Sequence, residues 1–80
     1  MSENAKKYLE IFMDVLNVSE EDVKGLKYQS IETWDSVGHM ALIAAIEDTF
    51  DLMLDTDDII DFESYDKGME ILEKNYEIEF

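Results

Sequence analysis

The chain has no cysteine, no proline and no arginine. Without cysteine, no disulfide can staple the fold and no thiolate can hold zinc. Without proline, nothing breaks a helix by covalent geometry. Glycine occurs only at Gly25, Gly38 and Gly68. Basic residues are scarce: six lysines stand against 21 acids, for a formal net charge of −15. Such a surface repels nucleic-acid phosphates and anionic membranes, so neither is an expected partner. No apolar run approaches the roughly 20 residues that span a bilayer, so no stable membrane insertion is expected. Met1-Ser2-Glu3-Asn4-Ala5 lacks the basic start and apolar core of a secretory leader, and a cytoplasmic location is expected.

What is present favours helices. The 80 residues suffice for one domain, read as 1–80, and 46% of them are apolar, which suits a folded chain. Few breakers accompany many Glu, Leu, Ile, Met and Ala. The spacing of Tyr8, Ile11, Phe12, Val15 and Leu16 predicts a first helix over residues 3–16, capped by Ser2. A long connection covers 17–35. Within it Ser19-Glu20-Glu21-Asp22 reads as a capped single turn, Gly25 as a turn residue, and Val23 and Leu26 as anchors to the core. A second helix is predicted from Ser36 to Phe50. Projected at about 100° per residue, it places Leu42, Ile43, Ile46 and Phe50 on one face. Val37, Met40, Ala41 and Ala44 fall opposite, with Glu47 and Asp48, so this outward face is apolar at one end and acidic at the other. Water alone does not require that arrangement; a docking surface does. Thr56 is expected to cap a short third helix and Ser64 a fourth bearing Tyr65, Met69, Ile71 and Leu72, with fraying from Asn75 onward. No alternating strand pattern competes. The expectation is all-α: a small four-helix bundle of three longer helices and one short one, with a long loop between the first two.

The chemistry concentrates at Trp34-Asp35-Ser36-Val37-Gly38-His39-Met40. Asp-Ser at a helix start is ordinarily a cap, with the serine stabilising by about 1 kcal/mol. The same helix start offers unpaired N–H groups and a positive dipole end to an anion attached to Ser36 Oγ. Asp35-Ser36 precedes Leu42-Ile43-Ala44-Ala45-Ile46-Glu47-Asp48-Thr49-Phe50, then Leu54, Asp57-Asp58-Ile59 and Ser64-Tyr65, in an acidic 80-residue chain. In this order and spacing, over nearly its whole length, the chain resembles the acyl carrier proteins. The departures are Val37 where leucine is commonest, Gly38 and His39 at positions often polar, and Trp34 where a small residue is common. They bring the chain nearer to stand-alone carriers of specialised pathways than to those of primary fatty-acid synthesis.

The resemblance implies a fold of the acyl-carrier type and a 4'-phosphopantetheine arm on Ser36, whose thiol holds an acyl or aminoacyl group as a thioester. It implies that Asp35 aids installation of the arm by helping to hold the transferase's magnesium. It implies docking of partners through Val37, Met40, Ala44, Glu47 and Asp48. The partners would be a phosphopantetheinyl transferase, an acyl- or aminoacyl-loading ligase, and acyltransferase or synthase enzymes with basic patches. The carrier would act as a monomer and would not itself be an enzyme. The residues agree, because no second histidine, cysteine or base pairs with Ser36 to make a nucleophilic triad or a metal site. His39 falls on the core side of its helix and reads as a packed histidine with a hydrogen-bond partner. Asp55, Asp57, Asp58 and Asp61 fail the calcium-loop pattern, since the sixth position from Asp55 is Ile60 and the twelfth Asp66. The alternative is an acidic protein-binding module, a degenerate carrier or nucleic-acid mimic without a prosthetic group.

Overall fold

A computed structural model describes residues 2–80. Five helices follow one another: α1 (Glu3–Leu16), α2 (Glu20–Val23), α3 (Ser36–Phe50), α4 (Thr56–Asp61) and α5 (Tyr65–Tyr76). Among the described residues there is no strand, only an isolated bridge between Lys27 and Ser64. The count is five rather than four because the turn after Ser19 closes as a helix of its own. Ser19 does not cap it with its side chain; its hydroxyl donates to the Asp22 carboxylate instead (2.9 Å).

Local chemistry sets the other boundaries. Ser2 Oγ accepts from Ala5 N–H (3.1 Å) and Ser64 Oγ from Lys67 N–H (2.9 Å), which satisfies orphan donors at the starts of α1 and α5. Asn17, Asp51 and Glu77 adopt the left-handed conformation that ends α1, α3 and α5. Thr56 is not the cap of α4. Asp55 holds the extended backbone there, its carbonyl accepts from Ile59 N–H (3.0 Å), and Thr56 is already helical.

The core joins α1, α3 and α5 through Tyr8, Phe12, Leu16, Leu42, Ile43, Ile46 and Leu72. Trp34 and Phe62 add two fully buried rings from the connections. Val23 and Leu26 are buried, which anchors the long connection. Val15, Phe50, Ile59 and Met69 are half-buried at its margin. The long connection is also fastened by polar contacts. Thr33 Oγ1 donates to the Leu16 carbonyl (2.7 Å), and Tyr28 N–H donates to the Glu63 carbonyl (2.7 Å).

The C-terminal segment does not fray. Asn75 Nδ2 and Tyr76 Oη donate to Asp58 (3.0 and 2.6 Å), and Tyr76 Oη accepts from Asp55 N–H (2.8 Å). Ile78 N–H donates to the Leu72 carbonyl (3.1 Å), and Phe80 packs on Tyr8 (centroids 5.4 Å apart). The reason is long-range: the segment finds partners on α1 and α4 that helix propensity does not register.

Candidate functional site

Asp35 is the cap of α3. Its backbone is extended, its Oδ1 accepts from Gly38 N–H (2.8 Å), and its carbonyl accepts from His39 N–H (2.8 Å). Ser36 is therefore the first helical residue and is exposed. Among the described residues nothing hydrogen-bonds to its hydroxyl. The cap reading of the Asp-Ser pair thus applies to Asp35, and Ser36 Oγ is left facing solvent with no structural task.

The electrostatics of this turn differ from those of every other helix. The first turns of α1, α2, α4 and α5 carry Glu3; Glu20, Glu21 and Asp22; Asp57 and Asp58; and Asp66. The first turn of α3 carries none. The positive end of its dipole is offset only by the Asp35 cap, so a phosphate on Ser36 would meet a favourable field there.

Gly38 and Trp34 hold the turn in place. A β-carbon at Gly38 would overlap the Thr33 carbonyl, so the glycine is what lets the connection cross the start of α3 at close range. Trp34 is fully buried, and its Nε1–H donates to His39 Nδ1 (3.0 Å). That leaves His39 Nε2–H to donate to the Ile59 carbonyl (2.8 Å), so the ring is the neutral Nε2–H tautomer with both nitrogens engaged. The packed, hydrogen-bonded role expected for His39 is what it has.

Beyond Ser36, Val37 is 77% and Met40 54% exposed, and Ala41, Ala44 and Asp48 are exposed with them. Glu47 has a structural task as well: it is half-buried, and its Oε2 accepts from Leu54 N–H (2.9 Å), which shapes the connection after α3. Sequence reasoning missed Gly38 as a site residue. The available signal was a glycine in a helix's first turn, which costs about 1 kcal/mol relative to alanine unless backbone approach requires it. Among the described residues no three His, Cys, Asp or Glu side chains gather to hold a metal, including around Asp55, Asp57, Asp58 and Asp61. No helix among them is long and apolar enough to cross a membrane. Compared with family models, curated proteins and solved structures, the chain shows no match.

Proposed function

We propose that the chain is a stand-alone acyl carrier protein, monomeric and cytoplasmic, with a 4'-phosphopantetheine arm on Ser36. The carrying observation is the pairing of an exposed, unengaged Ser36 hydroxyl with a helix start already capped by Asp35 and free of acids in its first turn. A phosphodiester there gains N–H donors and dipole at once. Asp35 Oδ1 is occupied by Gly38 N–H, and its second oxygen can aid a transferase's magnesium during attachment. The arm supplies the thiol that the sequence lacks. The chemistry of the thioester belongs to the arm and to the partner enzymes.

The neighbouring face suits brief encounters. Val37, Met40 and Ala44 offer apolar contact beside Ser36, and exposed Asp48, with half-buried Glu47, offers charge to basic enzymes. Exposed ion pairs contribute little each, but their sum steers association and allows release.

The test is intact mass after incubation with coenzyme A, magnesium and a promiscuous phosphopantetheinyl transferase, followed by peptide mapping. One phosphopantetheine on Ser36, absent in Ser36→Ala, is the expected result. Ser36→Ala should fold with a stability change within about 0.5 kcal/mol, because the side chain is exposed and unbonded. No addition to folded protein, with the transferase active on a control carrier, would refute the proposal and leave an acidic protein-binding module.

A further inference from the structure

Hydrogen bonds, more than burial, hold α4 in place. None of its residues is fully buried, and Ile60 is 67% exposed. On one side Asn75 and Tyr76 of α5 grip Asp58 and the N–H of Asp55. On the other side the tie is His39, which accepts from Trp34 and donates to the Ile59 carbonyl. One imidazole thus joins the long connection, the first turns of α3 and the body of α4.

A cleft of about 240 Å³ runs along this seam, lined by Tyr28, His39, Ile59, Ile60, Phe62 and Glu63. That is below the roughly 300 Å³ at which small-molecule pockets begin. Its inner wall is aromatic: the His39 ring meets Phe62 edge-on (6.1 Å, 69°) and stacks on Trp34 (6.2 Å, 16°), and both neighbours are fully buried. A long alkyl chain needs more room than this cleft gives, and would gain full burial only by reaching Leu42, Ile43 and Ile46 behind the wall. Parting α3 from α4 to admit it would break the bond between His39 Nε2–H and the Ile59 carbonyl and leave both groups without a partner.

Resting on the carrier reading above, we infer that His39 determines the class of cargo. By tying α4 to α3 it keeps the interior shut, and the carrier bears short or polar acyl groups held outside the core rather than long alkyl chains within it. His39 is a positioning residue here, since it acts through α4 and has no contact with the reacting thioester.

The test loads Ser36 with phosphopantetheine bearing a hydrolysis-resistant acetyl or dodecanoyl amide. It compares thermal midpoints and the NMR shifts of the Leu42, Ile43 and Ile46 methyls. In the unaltered protein the two cargoes should give the same midpoint and the same methyl shifts. In His39→Ala the dodecanoyl form should melt about 4 °C or more above the acetyl form, with the methyls displaced. His39→Gln, which keeps a donor toward the Ile59 carbonyl, should restore exclusion. A dodecanoyl-specific rise and methyl displacement in the unaltered protein would overturn this inference while leaving the carrier reading standing. Failure to load Ser36 would overturn both. A folded His39→Ala that treats the two cargoes alike would remove His39 from the role. If His39→Ala does not fold, the unaltered protein and His39→Gln decide: dodecanoyl entering either one overturns the inference.

Discussion

Gly38 has no room for a side chain. A methyl group there would run into the Thr33 carbonyl, which is backbone and cannot rotate away. Gly38→Ala should therefore cost about 1–3 kcal/mol, although alanine is the better helix former. Urea unfolding checks this, and a stabilised variant would show that the connection does not press on α3. Tyr8 is fully buried. Its hydroxyl donates to the Tyr65 carbonyl (2.7 Å) inside the core. Burial, and then the nearby Tyr65 and Asp66, push its ionisation well above the ordinary phenol value of about 10. The folded state thus holds the phenol proton more tightly than the unfolded chain. The stabilisation is complete below about pH 10 and is lost as pH rises from there toward the folded value. Tyr65 and Tyr76 are raised too, first by desolvation, and act in the same direction. Between about pH 8 and pH 11 the unaltered protein should lose more stability than Tyr8→Phe, measured by urea melts at both values. Equal losses would mean that Tyr8 is not the group being titrated.

The elements differ in how far local chemistry decides them. α1 and α3 occupy the spans that periodicity and end residues indicate, 3–16 and 36–50, because their stripes and terminal residues act within one or two turns. Ser36 was legible at a helix start for the same reason, although Asp35, not Ser36, performs the capping. The Asn75–Phe80 segment was not legible. Its partners lie far away in sequence: Asn4 Nδ2 donates to the Glu79 carbonyl (3.0 Å) across 75 positions, and Phe80 meets both Tyr8 and Phe50. Nor was the His39 tie to Ile59, since a period-3.6 reading gives the face of His39 but not the carbonyl it meets. Phe80→Ala should destabilise by about 1–3 kcal/mol, as loss of a packed aromatic side chain does, while leaving Ser36 loadable. Hydrogen exchange should then show the last turn of α5 opening more readily. An unchanged melting midpoint and exchange pattern would return the segment to the frayed state that its local composition suggests.

At the scale of the whole molecule the charge is the dominant fact. Among the described residues the acids find one ion pair, Lys74 Nζ to Glu70 Oε1 at 2.8 Å, an exposed pair one turn apart on α5. Such a pair contributes little. The remaining carboxylates repel one another over the surface of a small domain, which favours expansion and costs stability. They also serve the proposed docking, because a partner with a basic patch relieves the repulsion as it binds. Salt should therefore act on fold and docking in opposite directions. Raising ionic strength from about 0.01 M to about 1 M shortens the screening length from roughly 30 Å to roughly 3 Å. The melting midpoint should rise, since screening removes much repulsion and almost no attraction. Association with a basic partner should slow over the same range, with the loss chiefly in the on-rate. Calorimetry across the salt series reads the first effect, and stopped-flow association with a phosphopantetheinyl transferase reads the second. A midpoint that falls with salt would show that attractive pairs outweigh repulsion, and the −15 charge would then need another explanation.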